Sequence, residues 1–120
     1  MDRAQNTNKY RELEERTFLF AKRCRDYVKR LSRTIHNIEY AKQLVRASAS
    51  PAANYIEANE ALSRKDFAHR IRICRKEAKE SCLWLRLAEP DESQKEEQRG
   101  LIQEAEELRK IFSAILEKSL

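Results

Sequence analysis

A chain of 120 residues with one glycine, two prolines and 38% charged side chains has too few turn residues for a sheet and suits long solvated helices. The net charge of +5 is uneven: residues 1–90 hold 20 Lys/Arg against 12 Asp/Glu, and residues 91–120 hold five against eight. No run approaches the roughly 20 apolar residues of a membrane span, residues 1–9 lack a signal-peptide core, and three irregularly spaced cysteines argue against a disulfide framework or a metal knuckle, so a cytoplasmic protein is expected.

Residues 1–10 are expected to fray. A first helix is predicted over about 13–32, where Leu13, Thr17, Phe20, Cys24, Tyr27, Val28 and Leu31 recur at steps of three and four. A second is predicted over 37–62 on the stripe Ile38, Ala41, Val45, Ala52, Ile56 and Asn59, with Asn37 as its N-cap and Pro51 set to kink or split it. A third is predicted over 64–88, started by Ser63 and Asp66 as an acidic variant of the capping box, with Phe67, Ile71, Cys74, Ala78 and Leu85 as its stripe. Pro90 ends it. A fourth is predicted over 94–118 on Leu101, Ala105, Leu108, Phe112, Ile115 and Leu116; Gly100 weakens it by about 1 kcal/mol relative to alanine. Short links between long amphipathic helices force antiparallel neighbours. The predicted fold is therefore all-α, an antiparallel up-down-up-down four-helix bundle forming one domain over 11–120.

More apolar surface is present than one stripe per helix requires. On a helical wheel, Phe18 and Leu19 in the first helix and Ile73, Leu83, Trp84 and Leu87 in the third fall outside the core stripes. Two readings are open: an interface between copies of the chain, or wider stripes that bury these residues within one copy. Cations cluster on the same two helices. Arg16, Lys22, Arg23, Lys29 and Arg30 lie on the first and Arg72, Lys76 and Lys79 on the third. Phosphate binding needs cations spread along a surface and no exact motif, so these eight are candidate contacts to RNA or DNA; an ordinary solvated surface is the other reading. Gln43, Arg46, Ser50, Asn54 and Glu57 form a polar line on the second helix, read as lying opposite its apolar stripe. It is either a hydrogen-bond network that sets register or a partner site.

Nothing resembles catalytic machinery. There is no Ser/His/Asp or Cys/His arrangement and no Gly-rich phosphate loop. Neither His36 nor His69 follows a glutamate by three residues, so Glu77 and Glu80 do not complete a di-iron ligand set. No catalytic residue, cofactor, metal or small-molecule substrate is expected.

The run Lys42-Gln43-Leu44-Val45-Arg46-Ala47-Ser48-Ala49-Ser50, followed by Ala53-Asn54-Tyr55-Ile56-Glu57-Ala58, resembles a signature stretch of the 23S rRNA intervening-sequence-protein family, also called four helix bundle proteins. Phe18 to Lys29 resembles that family's first helix. Ser63-Arg64-Lys65-Asp66-Phe67, Arg75-Lys76-Glu77-Ala78-Lys79-Glu80 and Trp84-Leu85 resemble its third. The likeness covers about residues 11–88; where the family often has Arg-Ser-x-x-Ser, Ala47 replaces the first serine. The resemblance implies a homo-oligomeric ring, typically a pentamer. It also implies kinship with the accessory protein of diversity-generating retroelements, which works with a reverse transcriptase and nucleic acid through a basic surface. The expectation is a non-enzymatic homo-oligomer that binds RNA or DNA phosphates. The alternative is a structural adaptor for a protein partner such as a polymerase or reverse transcriptase.

Overall fold

Helix-forming sequence runs almost uninterrupted from end to end. The computed structural model, which describes residues 3–119 and side-chain surroundings from Tyr10 to Ser119, contains α1 (Arg3–Lys29), α2 (Ile35–Asn59), α3 (Arg64–Leu87) and α4 (Lys95–Lys118). A single 3-10 turn, Glu92–Gln94, precedes α4, and no strand occurs among the described residues. Each helix packs on the next in sequence and α1 closes on α4, so α1 lies diagonally across from α3. The bundle measures 49 × 23 × 19 Å. No helix among the described residues is long and apolar enough to cross a membrane. The segment expected to fray is helical from Arg3, because nothing between Arg3 and Tyr10 is a glycine or proline that would stop a helix; Met1 and Asp2 lie outside the described residues.

The core confirms three stripes and corrects the fourth. From α1, Phe20, Cys24, Tyr27 and Leu31 are buried with Thr17, whose hydroxyl donates to the Leu13 and Glu14 carbonyls at 2.9 Å. From α3 come Ala68, Ile71, Cys74, Ala78 and Leu85, and from α4 Leu101, Ala105, Leu108, Phe112 and Leu116. On α2 the buried side chains are Leu44, Ala47, Ser48, Pro51, Tyr55 and Ala58. The predicted stripe there was offset by about one residue, roughly 100° around the helix. Ile38, Val45 and Ile56 are exposed instead. The buried face of α2 is made largely of small side chains, which leave a weak hydropathy pattern, while Ile38 and Val45 sit on the flank toward α1.

Two predicted helix features also change. Pro51 neither splits α2 nor ends it; the helix is continuous, Pro51 is buried, and its carbonyl accepts the Cys74 thiol at 3.5 Å. The N-cap of α2 is Thr34, whose side chain accepts from the Asn37 amide at 3.2 Å. Asn37 does other work. Only 1% exposed, it donates to the carbonyls of Ser32 and Glu89 at 3.0 Å each and accepts from the Glu89 amide at 2.9 Å. It thereby fastens the α1–α2 connection to the α3–α4 connection. Ser32 to Asp91 at 2.9 Å and the contact of His36 Nε2 with the Glu89 carboxylate reinforce the same end. The Ser63 cap is as read, with Ser63 Oγ accepting from the Asp66 amide at 3.0 Å.

Replacing Asn37 by alanine strands one buried amide and two carbonyls, each worth about 1–3 kcal/mol when unsatisfied. Asn37→Ala is therefore expected to lower unfolding free energy by roughly 3 kcal/mol in urea at unchanged m-value. A loss below about 1 kcal/mol would mean that water replaces these bonds freely.

Candidate polyanion-binding surface

Of the cations read as phosphate contacts, two are already clasped to carboxylates of another helix. Arg16 binds Glu104 through Nε at 2.8 Å and Nη2 at 2.9 Å, and Arg23 binds Glu97 through Nη2 at 2.9 Å and Nε at 3.4 Å. The arginines are seven residues apart on α1 and their partners seven apart, in reverse order, on α4, as antiparallel helices require. Gly100 lies between the two glutamates; a Cβ there would sit 3.3 Å from Arg23 Nη2, so the bare backbone leaves space for the guanidinium. Hydrogen bonding to these carboxylates holds both guanidinium groups more firmly protonated than usual. Arg16 and Arg23 thus clasp α1 to α4. Sequence reasoning could not see this, since each bridge spans more than 70 positions.

Lys22, Lys29 and Arg30 are exposed with no carboxylate within 4 Å among the described residues. Lys22 faces a groove between α1 and α2 that Phe18, Arg25, Val45 and Ala49 also line. Helix α3 carries eight Lys/Arg against three Asp/Glu, a net of +5. On its outward side Arg72 and Lys79 are exposed and similarly unpaired, while Lys76 Nζ lies 3.8 Å from Glu77. Lys22 lines the α1–α2 groove and Lys79 the α3–α4 groove, so the two cation sets lie on different faces of the bundle.

The apolar candidates separate as well. Phe18, Leu19, Leu83 and Leu87 are exposed, Phe18 by 53%. Ile73 is half-buried, and Trp84 packs against the core and stacks on Tyr40 at 6.2 Å between ring centroids. Val45 lies across the α1–α2 groove from Phe18, Ile38 lines a further concavity with Val28 and Leu31, and Ile56 is exposed on α2; sequence reasoning missed all three as surface because it had placed them in the core.

The polar line on α2 runs along the flank facing α3 and not opposite the buried stripe. Arg46 reaches Glu77 at 3.3 Å and Glu80 at 3.5 Å, and Glu77 is only 4% exposed. Asn54 Nδ2 donates to Ser50 Oγ at 3.0 Å, and Asn54 Oδ1 accepts from Arg70 at 3.0 Å. These residues tie α2 to α3. Gln43 and Glu57 lie on the exposed continuation of the line, and Arg46 pairs with α3 instead of Glu57.

With helices, seams and free cations placed, the 23S rRNA-intervening sequence protein family matches residues 11–114, nearly the whole bundle. The chain belongs to the 23S rRNA-intervening sequence protein family. Among solved structures, it is similar to a Bacteroides thetaiotaomicron protein of the S23 ribosomal protein family whose function is unknown. The two share 28% identity with a TM-score of 0.77, over 91% of this chain and 98% of that one. A comparison with curated proteins returns no match.

In this member of the family the thiols are poised against nucleophilic chemistry. Burial pushes Cys24 and Cys74 up to about 12, and burial with the adjacent Glu106 carboxylate pushes Cys82 up. Activated cysteines shift the opposite way. Among the described residues no group of three His, Cys, Asp or Glu could hold a metal ion.

If the α1–α4 clasp is electrostatic, Arg16→Ala with Arg23→Ala should lose about 1 kcal/mol of stability at 50 mM salt and less than half of that at 1 M. A loss that does not change with salt would assign the effect to packing of the arginine stems.

Proposed function

We propose that this protein is a non-enzymatic, self-associating bundle that holds RNA or DNA by its phosphates, with α3 supplying the contacts. The observation that carries this reading is the outward face of α3. Arg72 and Lys79 stand there exposed, on a helix of net charge +5, with no carboxylate within 4 Å among the described residues. Cations in that state are surrounded by mobile counter-anions and are available to neutralise phosphates, releasing the nucleic acid's own counterions. The clasped Arg16 and Arg23 are not, and Glu97 and Glu104 beside them would repel a polyanion. Contacts of this kind fix position without reading bases. A cytoplasmic location is part of the same proposal.

Self-association is supported by the apolar strip of Phe18, Ile38, Val45 and Ile56 along α1 and α2. A ring of the pentameric kind that the family resemblance implies joins two different patches, and Leu87 with Ile73 on α3 offers a second. The rival reading, an adaptor for a polymerase or reverse transcriptase, draws on the same strip as a docking face.

Fluorescence anisotropy with unrelated RNA and DNA sequences at 50 and 200 mM salt tests the reading, with mass measured on the same samples. Arg72→Glu with Lys79→Glu is expected to weaken binding at least tenfold on every sequence and to flatten the salt dependence. Arg16→Ala with Arg23→Ala should change it little. Full-strength binding by the α3 variant contradicts the assignment. Phe18→Glu places a charge in the apolar strip and should reduce the mass to that of a single chain; an oligomer of unchanged mass would move the interface elsewhere.

A further inference from the structure

Between α3 and α4 runs a groove of about 530 Å³, within the usual size of small-molecule sites. Its walls combine three cations with an apolar floor. Lys79 and Arg86 enter from α3 and Arg109 from α4; Cys82, Leu83 and Ala105 form the floor. Lys79 and Arg86 have no carboxylate within 4 Å among the described residues. Arg109 touches only Glu106 of its own helix, at 3.5 Å. Glu80 also reaches the groove but is held from the other side by Arg46 at 3.5 Å. Glu106 is the remaining carboxylate, oriented by the Cys82 thiol at 3.6 Å and by Arg109.

We propose that this groove binds a nucleotide through its phosphate monoester, as a free mononucleotide or as the 5′-phosphorylated end of a strand. Three cations line the groove against two carboxylates, and of those carboxylates Glu80 is already paired with Arg46. A monoester carrying close to two negative charges at neutral pH draws on Lys79 and Arg86, which face no carboxylate within 4 Å among the described residues, more fully than a diester carrying one. Guanidinium groups from two helices can meet different oxygens of one phosphate in the paired geometry that arginine favours. The sugar and base then lie on Leu83, Cys82 and Ala105, and Glu106 accepts from a sugar hydroxyl or a base amino group. Leu83, exposed in the free protein, acquires a partner. The site rests on the α3 cations proposed above only through Lys79, and it requires no extended backbone contact.

The test uses the full chain, with fluorescently labelled AMP as probe and two strands of one sequence, one ending in a 5′-phosphate and one in a 5′-hydroxyl. Labelled AMP should bind saturably and be displaced by AMP but not by adenosine. Arg86→Ala and Arg109→Ala should each weaken it about tenfold with the helical circular dichroism unchanged. Tighter binding of the phosphorylated strand than of the hydroxyl strand names strand ends as the source; equal binding of the strands alongside AMP binding names the free nucleotide. The proposal is overturned if adenosine competes as well as AMP, if the two variants bind normally, or if neither AMP nor the terminal phosphate adds anything. In that last case, salt-sensitive binding of the hydroxyl strand would leave the phosphate-surface reading intact.

Discussion

Two arginines that face carboxylates across a helix seam decide how the rest of this surface can be used. Arg16 and Arg23 spend their charge on Glu104 and Glu97, and in doing so draw α4, the acidic part of the sequence, against α1. Both ion pairs are partly exposed, so their direct contribution to stability is small. Their larger consequence is a partition of charge. Two carboxylates of the acidic stretch after residue 90 are taken up by α1, while Arg72, Lys79 and Arg86 on α3 meet no carboxylate within 4 Å among the described residues. Helix α1 carries a net +4, part of it offset by Glu97 and Glu104 of α4, whereas the net +5 of α3 has no such clasp and makes a local field.

The bundle supports that partition at its end and along its opposite seam. Asn37 joins two connections that are 52 residues apart, so the helix pairs α1–α2 and α3–α4 are registered by one buried side chain. On the α2–α3 seam, Arg46 meets the nearly buried Glu77 and the half-buried Glu80. Leaving Glu77 there without Arg46 would strand a carboxylate in the protein interior. Polar register devices thus fix the rotation of α3, and that rotation is what turns Arg72, Lys79 and Leu87 outward.

Much of the fold was legible because α1, α3 and α4 each carry large apolar side chains at helical spacing, and because Pro90 and Ser63 punctuate the chain where helices end and begin. The error on α2 has a definite cause. Its core face is Ala47, Ser48, Pro51 and Ala58 with only Leu44 and Tyr55 of any size, while its surface holds Ile38, Val45 and Ile56. Hydropathy therefore pointed to the wrong side, and the same error hid half of the exposed apolar strip. Asn37 looked like a cap because asparagine often is one; its partners at Glu89 are invisible to local sequence. The free cations could be named as a set from sequence, yet which of them were available depended on partners in α4. Arg86 and Arg109 could not be joined into one groove without knowing that α3 and α4 are neighbours.

Lysine reactivity tests the partition of charge most directly. The chain would be acetylated under limiting reagent with and without single-stranded RNA at low salt, and the rate at each lysine followed by mass spectrometry. Protection is expected at Lys76 and Lys79 on α3, with Lys110 and Lys118 on α4 unaffected. Equal rates at Lys76 and Lys79 in the presence of bound RNA, or protection confined to α4, would contradict the assignment of uncompensated charge to α3.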